Sequence, residues 1–216
     1  FKHFKNFKMK KLFSRLVYSI GLLVISILTI SIQCTTKQQT VVSIKGDQFY
    51  INDEITYKGK AWNNKSIEGL LFNSRMVQGI FDDLNPESRV LWKYPDTKQW
   101  AANRNTNEFV DAMSDWKDCG LLAFTINIQG GSPTGYGNKN WINPGFYPDG
   151  KIMEDYFKRL EKIIDRADDL GMVVILGMFY FGQDHNIKDE AGIKNAVNNT
   201  IDWLFTKGYR NVIIEI

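Results

Sequence analysis

Three times along this chain a segment with helical periodicity ends at a glycine and gives way at once to an apolar run. Residues 105–118 lead through Gly120 into 121–128. Residues 152–170 lead through Gly171 into 172–181, and residues 189–207 through Gly208 into 211–216. Glycine suits a helix end because it takes up left-handed backbone without a Cβ clash. Asn105 is the expected N-cap of the first helix, with Glu108 at capping-box spacing. The second helix carries Met153, Tyr156, Phe157, Leu160, Ile163, Ile164 and Ala167 at a period of 3.6. The third carries Ile193, Ala196, Val197, Ile201 and Leu204 on one face. A further strand is expected over residues 75–81. Apolar strands alternating with helices predict an α/β fold with a parallel sheet covered by helices. Two arrangements fit, an open doubly wound sheet or the first part of a (β/α)8 barrel. A complete barrel takes about 250 residues, and the final apolar strand has no polar tail. The expectation is a truncated (β/α)8 TIM barrel of about four strands.

Residues 46–216 hold this barrel-like domain, and its entrance is a β-hairpin over residues 48–58, turning at Asn52-Asp53. Residues 34–45 read as a tether, and residues 1–33 as upstream residues plus a leader. That leader holds Lys2, Lys5, Lys8, Lys10, Lys11 and Arg15 and no acid. The chain's net charge of +3 is therefore a composite: the leader carries +6, and the remaining 21 basic and 24 acidic side chains sum to −3. The basic stripe that a nucleic-acid binder presents is absent from the body, so no nucleic-acid partner is expected. An apolar run from Leu16 to Ile32 follows the basic segment and is followed by Cys34. This is the layout of an export signal. It is similar to a bacterial lipoprotein signal, with Cys34 as the lipidation site and the membrane as a partner through that anchor. A retained membrane anchor and ordinary cleavage to a periplasmic or secreted form are the alternatives. Cys119 is the only other cysteine, so no internal disulfide framework is expected. It is expected to be a small buried residue.

Parallel α/β folds place their chemistry at the C-terminal ends of strands. This rule selects Asp82 and Asp83 after the first strand, and Asn127 and Gln129 at the end of the second. It also selects Tyr180, Gln183 and Asp184 after the third, and Glu215 on the fourth. Thr125, Asn127 and Gln129 share one strand face, opposite Phe124, Ile126 and Ile128. The polar set is expected to line the interior mouth. There it meets either a polar ligand or an internal hydrogen-bond network. The loops at 84–104 and 130–150 contain Trp92, Tyr94, Trp100, Tyr136, Trp141, Phe146 and Tyr147. One or two of these rings are expected to stack on sugar, Trp141 among the candidates, and the rest to pack the loops onto the rim. No cofactor is expected: Gly130-Gly131 lacks the remainder of a phosphate-binding loop. Asp82, Asp83, Asp184, His185 and Glu215 have no recognised metal-ligand spacing, so no metal is expected. A Ser–His–Asp site is disfavoured, because His185 is the body's only histidine and no G-x-S-x-G occurs.

The hairpin, the 171–177 strand Gly-Met-Val-Val-Ile-Leu-Gly and the 209–216 segment Tyr-Arg-Asn-Val-Ile-Ile-Glu-Ile together resemble the clan A glycoside hydrolases, in particular the cellulase-like family 5 group. More specifically, Asn73 to Asp83 and Phe179 to Asp184 resemble a largely uncharacterised exported branch of such barrels. The resemblance implies an exported, envelope-located hydrolase acting on a polysaccharide or oligosaccharide. It implies a retaining mechanism in which one carboxylic acid protonates the leaving oxygen and a second carboxylate attacks the anomeric carbon. Glu215 matches the first Glu of the Glu-(apolar)-x-Asn-Glu pattern, so it is a supporting residue, and the catalytic pair would fall beyond Ile216. The aromatic end of the third strand departs from the histidine or similar polar group usual there. A non-catalytic carbohydrate-binding lipoprotein of the same fold is the alternative function, and an unrelated α/β enzyme is a third.

Overall fold

The computed structural model describes residues 39–130, 140–180 and 182–215. The expected leader with Cys34, and Gly131, Tyr136, Phe181 and Ile216, lie outside them.

The chain enters through a three-stranded antiparallel sheet, β1 Val42–Lys45, β2 Gln48–Ile51 and β3 Glu54–Ile55. Asn52 and Asp53 both have positive φ, as the tight hairpin turn requires. The expected tether gives way to structure by residue 42, because β1 pairs along its whole length with β2 (Val42 opposite Ile51). The backbone N–H of Val42 also donates to Arg210 O at 3.0 Å. Thr40 is tied to Asp168 by its backbone N–H and its hydroxyl, so this sheet is fastened to the main body. A second hairpin follows, β4 Ala61–Trp62 and β5 Lys65–Ser66, turning on Asn63-Asn64 with positive φ at both.

The main sheet contains β6 Asn73–Arg75, β7 Ala123–Asn127, β8 Val173–Gly177 and β9 Val212–Glu215, in that order and parallel throughout. Its connections carry α1 Pro86–Arg89 and α2 Ala102–Asp118, then α3 Glu154–Leu170, then α4 Glu190–Lys207. The chain is thus mixed α/β around a four-stranded parallel sheet with helical crossovers, and the described strands do not close into a barrel. Gly171 and Gly208 end α3 and α4 in the left-handed conformation, as expected, and Asp189 caps α4 by accepting from Gly192 N at 2.9 Å.

The first strand ends at the residue where the expected one begins. It stops at Arg75, and residues 76–81 leave the sheet in turns, with Gly79 N–H donating to Met76 O and Phe81 N–H to Gln78 O. Gly79 permits this exit. A Cβ there would stand 2.8 Å from Ile126 Cδ1 and 2.9 Å from Phe109, so only glycine lets α2 close on the sheet. Asn105 does not cap α2. The helix begins at Ala102, and the Asn105 amide instead donates to Gln78 O at 3.0 Å while the Thr106 hydroxyl donates to Gly79 O at 2.8 Å. These carbonyls have left the ladder, and buried carbonyls need partners. The helix supplies them, which overrides the local capping-box pattern.

The core lies between the sheet and its helices. Phe124, Ile126 and Ile128 meet Met113 of α2 and Tyr156, Phe157, Leu160, Ile163 and Ile164 of α3. On α4 the buried stripe is Gly192, Ala196, Thr200 and Leu204, and Ile193 is turned outward. Ala196, Val197, Ile201 and Leu204 meet the core as expected, and only Ile193 departs, its place taken by Gly192, which packs against backbone with Pro148 O 2.8 Å from where a Cβ would be. Cys119 is exposed rather than buried, since it sits at the C-cap of α2, past the last turn that touches the core.

Candidate functional site

Phe81 is fully buried at the end of the turns that follow β6. Trp92, Trp100 and Trp141 pack edge-on around it, at centroid distances of 5.5, 5.8 and 6.4 Å. Tyr180, three residues beyond β8, leans on Trp141 at 5.8 Å. Tyr94 stacks parallel on Trp100 at 5.9 Å, and the Arg104 guanidinium covers Tyr94 at 3.8 Å. Trp92 and Trp141 are almost wholly buried, whereas Trp100 and Tyr180 are half-buried. Three connections thus deliver rings to one cluster, at the end of the sheet where ligands bind in parallel α/β folds.

The two aspartates after β6 have different surroundings. Asp83 is fully buried and saturated. Its Oδ1 accepts from Asn85 N at 2.9 Å and Ile142 N at 3.0 Å, and its Oδ2 from the Ser88 hydroxyl at 2.6 Å and Trp92 Nε1 at 2.8 Å. It organises the rim and leaves no oxygen free for a ligand. Asp82 keeps one. Its Oδ1 accepts from Trp100 Nε1 at 3.0 Å and from Arg89 at 3.3 Å, while Oδ2 accepts nothing among the described residues.

The amides after the second and third strands hold the rim together. Gln129 donates to Gln183 O at 3.3 Å and accepts from Tyr180 N at 3.1 Å. Gln183 donates to Trp141 O at 3.0 Å and accepts from Asn143 N at 2.7 Å. Of the two readings of this polar set, the internal network describes Gln129 and Gln183. Asn127 is different: its Oδ1 is buried without a partner. It lies over Gly177, where a Cβ would be 2.6 Å from that oxygen. Asp184 is exposed, and its carboxylate accepts from His185 N alone among the described residues. Glu215, paired in register with Gly177, is exposed and has no ion-pair partner among the described residues. The concave sheet face it shares with Asn73, Arg75, Thr125, Ile175 and Ile213 encloses about 580 Å³.

Helix α3 holds Asp82 from beneath. The Tyr156 hydroxyl donates to Asp82 O at 3.1 Å, and Arg159 Nε donates to Ile80 O at 3.3 Å. Burial, reinforced by the Asp82 charge, pushes the Tyr156 phenol well above its ordinary value. Burial lowers Arg159, and the Asp82 charge is the largest opposing influence. Arg159 Nη2 has no hydrogen-bond partner. Periodicity conceals this arginine, which occupies a position between apolar residues of the α3 stripe. Arg89 was hidden for another reason: it reaches Asp82 from the one-turn helix α1, in a connection whose path no periodicity describes.

Among the described residues there is no cluster of three His, Cys, Asp or Glu able to hold a metal. No helix among them is long and apolar enough to cross a membrane. No known family matches the chain, and no curated protein matches it.

Proposed function

We propose that this region is the first four strands of a carbohydrate-active (β/α)8 domain with the three helical connections between them, and that it binds a polysaccharide or oligosaccharide at the rim above β6–β9. The observation that carries this reading is the placing of the half-buried rings Trp100 and Tyr180, backed by the buried Phe81 and Trp141, beside Asp82, whose Oδ2 accepts nothing among the described residues. Sugars present apolar C–H faces and hydroxyl edges, which such rings and carboxylates match. The sequential order of β6 to β9 and the all-parallel pairing support the barrel component.

The chemistry proposed is glycoside hydrolysis of the retaining type. One carboxylic acid protonates the leaving oxygen, and a carboxylate about 5 Å away attacks the anomeric carbon. Glu215 would support that pair from β9. The proposed setting is the bacterial cell envelope, through a lipid anchor at Cys34. Labelling with a radioactive fatty acid tests the anchor: the label is expected on the wild type and lost in Cys34→Ala.

A carbohydrate-binding lipoprotein without catalysis is the second reading. It is favoured by the saturation of Asp83, which leaves Asp82 as the single carboxylate of the aspartate pair with an open oxygen. Calorimetric titration with soluble oligosaccharides, followed by a reducing-end assay, separates the readings. Heat of binding with no new reducing ends supports the binding protein. Release of reducing ends supports the hydrolase. Neither signal across neutral and acidic glycans would reject both.

A further inference from the structure

Asp82, Arg89 and Trp100 form a unit that reaches beyond the general carbohydrate reading, on which the inference nonetheless rests. Asp82 is held from four sides. Its carbonyl accepts from Tyr156. The Asn143 amide, in the orientation that satisfies both its ends, donates to the same carbonyl at 3.1 Å and accepts from Gly130 N at 2.7 Å. The Asp82 Oδ1 takes Trp100 Nε1 and Arg89. Only Oδ2 is left, on a side chain that is 14% exposed. The Arg89 side chain is 47% exposed and is anchored on the carboxylate through Nη2, its other N–H groups having no acceptor among the described residues. The half-buried Trp100 ring is fixed by its own N–H on the same oxygen and by Tyr94 stacked at 5.9 Å. An acceptor, a set of donors and an apolar face therefore stand side by side, each already immobilised.

Beneath them, Arg159 is 3% exposed, its guanidinium lies over the Tyr156 ring at 4.7 Å, and its Nη2 has no partner. A buried guanidinium lacking a direct ion pair is costly. It is tolerable here because Asp82 and its neighbour Asp83 are fixed nearby, so the site as a whole is close to neutral. That balance argues against a site for anions. Arg89 and Arg159 are offset by Asp82 and Asp83.

We propose that Asp82, Arg89 and Trp100 form a subsite for an uncharged sugar carrying adjacent hydroxyls. One hydroxyl donates to Asp82 Oδ2, its neighbour accepts from Arg89, and the C–H face of the ring rests on Trp100. Tyr156 and Arg159 are positioning residues that set the height of Asp82. No bond is made or broken in this step.

The test uses cellohexaose, mannohexaose and laminarihexaose as neutral probes and hexagalacturonate as the acidic probe, with binding followed by calorimetry. At least one neutral probe is expected to bind. Asp82→Asn and Arg89→Met are each expected to weaken it by about tenfold, the loss of one hydrogen bond to a charged group. Both variants should keep the wild-type far-UV spectrum and unfolding midpoint within a few degrees. For a variant that does not, Asp82→Glu is the substitute, with the same expected loss because the longer side chain displaces the oxygen. Neutral binding untouched by these substitutions would overturn the subsite while leaving the carbohydrate reading intact. Binding of hexagalacturonate in preference, strengthened by Asp82→Asn, would overturn the neutral-sugar assignment. Silence from all four probes would overturn the subsite and the carbohydrate reading together.

Discussion

The indole N–H of Trp92 donates to the Oδ2 of Asp83 at 2.8 Å, inside the protein and out of reach of water. With the Ser88 hydroxyl and two backbone N–H groups on the same carboxylate, it fixes the path of the loop after β6. Asp83→Ala strands the buried donors of Ser88 and Trp92 and frees two part-buried backbone N–H groups. It is expected to destabilise the fold by about 2–6 kcal/mol, at about 1–3 for each buried donor left without an acceptor. Urea unfolding followed by tryptophan fluorescence measures this. A loss below 1 kcal/mol would mean that the loop does not depend on the carboxylate.

Gly177 and Asn127 form a second dependent pair. A methyl group on residue 177 would stand 2.6 Å from Asn127 Oδ1. Gly177→Ala is expected to cost about 1–3 kcal/mol through overpacking. Asn127→Ala in the same chain should recover most of that loss, and a double-mutant cycle quantifies the coupling. Purely additive effects would show that the two side chains do not compete for space.

Tyr156 and Tyr209 connect stability to alkaline pH. Burial raises both phenols above the ordinary value of 10.0, and the hydrogen bond to Asp165 raises Tyr209 further. The unfolded chain ionises from about pH 10. The folded chain resists ionisation, so the stabilisation is complete below pH 10 and is lost as pH climbs toward the folded values. Unfolding curves at pH 8, 10 and 11 are expected to show a falling midpoint. Tyr156→Phe with Tyr209→Phe should flatten the decline. A double variant as steep as the wild type would place the titration elsewhere.

The outer edge of β9 and the last turns of α4 form an apolar groove of about 210 Å³, lined by Ile201, Leu204, Phe205, Tyr209, Val212 and Ile214. Phe205 is 80% exposed. An open strand edge beside an apolar groove is prone to association. Sedimentation velocity is expected to show concentration-dependent association that Phe205→Lys and Ile214→Lys reduce. Equal association in the variants would point to another surface.

The parts of this fold that could be read beforehand rest on local chemistry. Asn52-Asp53 at positive φ, the Gly171 and Gly208 helix ends, and the α3 stripe follow from residue type and spacing alone. The parts that could not are set by contacts between distant segments. Asn105 serves the carbonyls of residues 78 and 79 instead of its own helix, and Gly192, meeting Pro148, takes the inward place expected of Ile193. The site divides in the same way. Strand-end position singles out Asp82, Asp83, Asn127, Gln129 and Gln183 equally, and only the tertiary hydrogen bonds show that Asp83, Gln129 and Gln183 are occupied while Asp82 Oδ2 and Asn127 Oδ1 are not.

The register of the main sheet bears on how the chain is born. Asn73 pairs with Ala123, Ala123 with Val173, and Val174 with Val212, so every strand waits for a neighbour encoded far downstream. At ribosomal speeds of about 5–20 residues per second, β7 stands with one bare edge for roughly 3–10 s before β8 emerges. The helices can wind in that interval, since their contacts are local, but the apolar strands cannot be covered. The wait is equally long while α2 and while α3 are being made, since residue 73 pairs with 123 and residue 123 with 173.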